Sequence, residues 1–146
     1  VTDPAQILGA HLAHRFQDSR LLSRALTHRS YTNEHPDAPD NETLAFLGDA
    51  VLGLVVAEHV WRTGPGEGVG GLTPRRAEIV SGANLAQWAE RLDLGAHLRL
   101  GKGEDVMGGR RKESVLATAL EAVLAVVYLE GGLSGAREAI ARLAPW

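Results

Sequence analysis

Asp49 and Glu121 are the residues whose type and setting could do chemistry. Each is the lone carboxylate of an almost wholly apolar, helix-like stretch, Leu44-Ala45-Phe46-Leu47-Gly48-Asp49-Ala50-Val51-Leu52 and Val115-Leu116-Ala117-Thr118-Ala119-Leu120-Glu121-Ala122-Val123-Leu124. An ionised carboxylate left unpaired in a packed interior is costly, so a shared divalent cation is the simplest way to hold both charged. Ala45 and Gly53 flank Asp49 at helical spacing and leave room for an ion, a water or a substrate group. Thr118 falls on the same helical face as Glu121. Carboxylates, a hydroxyl and water are the hard oxygen ligands of magnesium, which can polarise a phosphoryl oxygen and supply hydroxide for hydrolysis. The blander reading is that each carboxylate is ion-paired or partly exposed; spacing leaves the two readings level.

Helical periodicity dominates the elements that must position these residues, and no segment alternates like a strand, so an all-α domain is expected. A first helix is predicted from Pro4 to about Arg15, and a second after Asp18 or Ser19 as cap. Thr32 to Asp40 reads as a loop that delivers Asp40 or Asn41 as the cap of the long helix carrying Asp49. That helix should end near Arg62, because the run Gly64-Pro65-Gly66-Glu67-Gly68-Val69-Gly70-Gly71 cannot continue it. Thr73 then caps a helix with Pro74 at its first position, continuing through Leu92. Gly101 to Glu113 reads as a loop, Gly131-Gly132 closes the helix carrying Glu121, and Ser134 caps a last helix to about Leu143.

With 146 residues, one domain over 1–146 is the expectation. The chain has no cysteine, which removes disulfides, thiolate zinc sites and a thiol nucleophile and fits a reducing, cytoplasmic setting. Interruption of the apolar runs by Arg62 and Glu121 argues against a membrane span, and the N-terminus lacks the regions of a signal peptide. The net charge of -3 is unlike that of a tight nucleic-acid binder, but Gly108-Gly109-Arg110-Arg111-Lys112 concentrates positive charge locally.

The segment Asn41-Glu42-Thr43-Leu44-Ala45-Phe46-Leu47-Gly48-Asp49-Ala50-Val51-Leu52 closely resembles the signature of the ribonuclease III family. The likeness extends in order through Ala25-Leu26-Thr27-His28-Arg29-Ser30-Tyr31, Leu72-Thr73-Pro74-Arg75-Arg76-Ala77, Leu100-Gly101-Lys102-Gly103-Glu104, Gly108 to Ser114 and Leu120-Glu121-Ala122, covering about Leu8 to Leu133. The resemblance implies a ribonuclease III catalytic-domain fold, a helical homodimer that cleaves double-stranded RNA with magnesium, or manganese in its place. It makes Asp49 and Glu121 metal ligands and catalytic residues, and puts Phe46 and Gly48 near the dimer contact.

The family's metal site carries four acidic residues, which fall here on Ala45, Asp49, Thr118 and Glu121, and a further one falls on Val69. The retained pair is half of the site. A smaller branch, Mini-ribonuclease III, shows the same alanine and threonine, is active on ribosomal RNA precursors, and lacks a separate double-stranded-RNA-binding domain; no such domain is expected here. Thr118 then becomes a water-positioning group, and Lys102, Arg110, Arg111 and Lys112 become the RNA contacts. A ribosomal protein is an expected partner. The competing reading is a catalytically impaired relative that binds RNA or the ribosome.

Overall fold

The computed structural model describes residues 3–64 and 66–146. Val1, Thr2 and Pro65, which enter the expectations on the leader and on the end of the long helix, lie outside the described residues. The helices are α1 (Pro4–Leu12), α2 (Ser19–Ala25), α3 (Arg29–Glu34), α4 (Glu42–Thr63), α5 (Val69–Ile79), α6 (Gly82–Arg91), α7 (Lys102–Val106) and α8 (Glu113–Leu143). The one extended pairing among the described residues is a parallel bridge between Thr27 and Arg99. The all-α expectation holds.

Central in the fold, α8 is packed by α1, α2, α4 and α6. Its run from Ala122 to Val127 is fully buried, as expected for a helix that is apolar on every side. Both α4 and α8 are long and apolar enough by composition to cross a membrane, each with a mean hydropathy of 1.6 over its best window. This corrects the expectation drawn from Arg62 and Glu121. The apolar length of α4 and α8 is used in packing against each other, with Leu52, Val56, Leu120 and Leu124 enclosed.

Several boundaries differ from expectation for local reasons. Helix α1 stops at Leu12 because Ala13 takes a left-handed conformation, φ 54°, which no glycine announced. The segment expected as a loop, Thr32 to Asp40, overlaps the end of α3, which is capped by the ring of His28 accepting from the Ser30 amide. Helix α5 starts at Val69, so Thr73 does not cap it and Pro74 lies inside it. It ends at Ile79, where Ser81 caps the separate α6 through the Asn84 amide. Residues 101–113 contain α7 and a single 3-10 turn rather than plain loop. The break expected at Gly131-Gly132 is present: Gly132, at φ 68° and ψ -169°, divides α8 into two helical segments. The long α4 begins as expected, with Asp40 accepting from the Glu42 amide, whereas Asn41 is buried and donates to the Ala25 carbonyl.

A half-buried clasp holds the α1–α2 connection to α8. His14 Nε2 lies 2.8 Å from Glu130 Oε1, and the same carboxylate accepts from the amides of Gln17 and Asp18 at 3.0 and 2.8 Å. Burial pushes the Glu130 pKa up, but the His14 hydrogen bond, the two amides and the His14 charge together hold it below the usual carboxylate range. A depressed carboxylate stabilises the fold above its unfolded pKa, and that stability is lost as pH falls through the folded value. Glu130→Gln should therefore cost about 2 kcal/mol at neutral pH, the scale of charge-assisted hydrogen bonds, and should flatten the acid limb of the stability curve. Urea midpoints at pH 7 and pH 4 test this; an unchanged midpoint at pH 7 would remove the clasp as a source of stability.

Candidate metal centre

Helices α4 and α8 cross on Gly48. A Cβ at this position would overlap the carbonyl oxygen of Glu121 and come within 2.5 Å of its carbonyl carbon. The absent side chain lets the two backbones touch, and the next residue, Asp49, is thereby carried to the Glu121 carboxyl, with which it shares a hydrogen bond. The two carboxylates are brought together as the sequence suggested, but their environment is not the sealed core inferred from it. Asp49 is exposed and Glu121 is half-buried, so the site opens to solvent.

Burial first, then the hydrogen bond with Asp49 and its negative charge, push the Glu121 carboxyl up to about 8. Glu121 thus keeps its proton at neutral pH, beside the Asp49 side chain. Two carboxylates this close hold either a proton or a cation between them. Among the described residues neither takes part in an ion pair with a basic side chain. No group of three or more His, Asp or Glu side chains there could hold an ion, so this chain offers a donor set of two carboxylates.

The raised Glu121 value has a measurable sign. A carboxyl whose folded pKa exceeds its unfolded one contributes stability that is full below the unfolded value and lost as pH rises through the folded value. In chelator, the Tm should therefore decline between pH 4.5 and about 8 through this group, and Asp49→Asn should remove part of that decline. A Tm with the same pH dependence in both proteins would show that Asp49 does not set the Glu121 proton affinity.

Around the pair, Ala45 is 7% exposed and belongs to the apolar core, and Thr118 is half-buried one helical turn before Glu121. Gly53 faces open space, with nothing within 4 Å of where its Cβ would be. Val69, where a family carboxylate would fall, is 78% exposed at the start of α5.

The cationic candidates divide. Lys102, Arg111 and Lys112 are exposed, with Lys112 Nζ 3.9 Å from Glu104. Arg110 is turned inward: its guanidinium donates to Asp105 Oδ1 at 2.8 Å and to the carbonyls of Gly95 and Leu98 at 3.0 and 2.7 Å. It closes the 101–112 segment onto the chain, and its Nε and Nη1 donors are committed to the protein.

The two residues expected near a dimer contact also separate. Gly48 is buried against α8 of its own chain, whereas Phe46 is 82% exposed on α4. Leu54 and Trp61 are exposed on the same helix. Their spacing of eight and seven residues from Phe46 through to Trp61 is a helical stripe, a signal that the sequence carries but that residue chemistry alone does not single out.

These features define a class: an all-helical domain whose two longest helices meet glycine-on-backbone and set two carboxyls together at the surface. Residues 18–145 match the family model described as Ribonuclease-III-like, and the chain belongs to that family. It is 48% identical over 144 residues to Ribonuclease 3 of Syntrophobacter fumaroxidans, covering 97% of this chain and 60% of that protein. It is 51% identical over 126 residues to Ribonuclease 3 of Streptomyces coelicolor, covering 86% of this chain and 46% of that protein. The nuclease domain of ribonuclease III from Campylobacter jejuni matches with a TM-score of 0.88 at 37% identity, covering 94% of each chain. The chain thus spans about half the length of the curated relatives it matches.

Proposed function

We propose that this domain is a magnesium-dependent endoribonuclease of double-stranded RNA, with manganese able to substitute, and that it works as a homodimer. The carboxyl pair of Asp49 and Glu121 carries this reading: two hard oxygen donors with no basic partner among the described residues, open to solvent, and confined by the helix crossing at Gly48. Magnesium is commonly held by one or two carboxylates and completed by waters and phosphate oxygens, so the residues present fit it. When bound, the ion would polarise a phosphoryl oxygen and make hydroxide available near neutral pH.

The chain's own groups do the rest. Asp49 and Glu121, the latter after giving up its proton, would hold the ion, while the Thr118 hydroxyl orients water one turn along α8. Lys102, Arg111 and Lys112 meet phosphates and set affinity rather than sequence preference. The exposed stripe of Phe46, Leu54 and Trp61 is covered by a second copy of the chain. In the nuclease domain of Campylobacter jejuni ribonuclease III, a structurally flexible region is likewise involved in dimer formation. Ribosomal RNA precursors as substrate, a ribosomal protein as partner and a cytoplasmic location follow from the likeness to Mini-ribonuclease III.

A second reading, an impaired domain that binds RNA or the ribosome without cutting, draws on one observation: Ala45 sits in the apolar core, and only two carboxylates remain as donors. Incubation with labelled duplex RNA in magnesium, in manganese and in chelator separates the two. Cutting in either metal that chelator abolishes is expected. Binding without cutting across all metal concentrations would overturn the enzyme and leave the second reading.

A further inference from the structure

A groove beside α2 is unused by the proposed nuclease chemistry. Ser19, Arg20, Ser23, Arg24, Pro39 and Arg99 line a cavity of about 440 Å³. Through Ser19, Ser23 and Arg99 it adjoins a second cavity of about 350 Å³, walled by Pro4, Ala5, Leu22 and Leu26. Neither includes Asp49 or Glu121.

Three arginines line the first cavity, and among the described residues none of them is ion-paired with a carboxylate. Arg24 donates from Nε to the Asp40 carbonyl at 3.0 Å and from one Nη to Thr43 Oγ1 at 2.8 Å. Arg99 donates from Nε and one Nη to Thr27 Oγ1 at 2.9 and 2.6 Å, and its guanidinium carbon lies 4.7 Å from the centre of the Tyr31 ring. These neutral partners fix two of the forks without cancelling their charge, and each fork keeps an uncommitted Nη. Arg20 is exposed. The single carboxylate lining either cavity, that of Asp3, accepts from the Ala5 amide as the cap of α1.

Three arginines without carboxylate partners around one cavity favour an anion there. Planar forks with paired donors match phosphate oxygens, and such charge-assisted hydrogen bonds are among the strong ones. The adjoining apolar cavity suits a flat, weakly polar group attached to that phosphate. We propose that this groove binds a nucleotide, with its phosphate held by Arg20, Arg24 and Arg99 and its base against Leu22 and Leu26. The phosphate can come from a free mononucleotide or from the end of an RNA strand. Binding in this groove is independent of the nuclease reading.

Amide chemical shifts of the whole chain, titrated with AMP and with adenosine, test it. AMP should give saturable shifts at Ser19, Ser23 and Arg99, and adenosine should bind about tenfold more weakly or worse, the scale of losing one charge-assisted hydrogen bond. Arg20→Glu, an exposed substitution, should weaken AMP by a similar factor, whereas Arg76→Glu on α5 should not. A 5′-phosphorylated RNA strand that competes with AMP would place the ligand at an RNA end; failure to compete would identify a free nucleotide, and either result keeps the site. Absence of saturable AMP binding, equal binding of adenosine, or indifference to Arg20→Glu would overturn it.

Discussion

Asp49→Asn and Glu121→Gln should each lower magnesium-supported cleavage of duplex RNA by about two to three orders of magnitude, the usual effect of losing one preorganised charge-stabilising group. Among the described residues no third His, Asp or Glu joins these two carboxylates, so neither loss has a neighbour to cover it. Neither change should disturb folding. Asp49 is exposed, and glutamine at position 121 mimics the protonated carboxyl that Glu121 already holds at neutral pH, its value being pushed up to about 8. Glu121→Gln should therefore be at least as stable as the parent protein in chelator at pH 8. Single-turnover rates across a magnesium titration, beside Tm in chelator, check both halves. Cleavage at the parent rate in either variant would remove that carboxylate from the reaction.

Gly48→Ala should destabilise the fold by about 2 kcal/mol or more, although alanine is the better helix former by about 1 kcal/mol. The steric effect wins because the obstacle is the main chain of Glu121, which cannot swing away as a side-chain tip could. Overpacking of a well-packed interior costs about 1 to 3 kcal/mol even where side chains can adjust. Relief requires α4 and α8 to move apart, which also separates Asp49 from Glu121, so the Glu121 proton affinity and the cleavage rate should fall together with stability. Gly53→Ala is the internal comparison: nothing lies within 4 Å of its Cβ position, and it should be neutral or stabilising by up to about 1 kcal/mol. Urea unfolding of the two variants decides the matter. A Gly48→Ala protein as stable as Gly53→Ala would mean that the helices do not meet at this glycine.

Much of the helical layout was legible in the residues. The cap at Asp18, the start of the long α4 after Asn41, and the break at Gly132 follow from local chemistry that a short segment carries within itself. Elsewhere the deciding partner was usually distant in sequence or the signal was weak. Ala13 turns left-handed without a glycine, and the turn brings His14 to Glu130 on α8. Pro74 looked like a helix start, yet α5 begins five residues earlier. Arg110 read as part of a basic run, but the carbonyls of Gly95 and Leu98 claim its donors.

The residue order identified the two carboxylates and their small neighbours, because side-chain type and helical spacing are local properties, whereas the loss of acidic groups at Ala45 and Thr118 came from the family resemblance. It could not place Asp49 against Glu121, since nothing in either helix specifies which turn of the other it meets. That register comes from the crossing: Gly48 is where backbone can touch backbone, and the contact brings Asp49 to the Glu121 carboxyl and helps raise its proton affinity. The same packing left Asp49 at the surface rather than in the core, so the desolvation expected of both carboxylates acts mainly on Glu121.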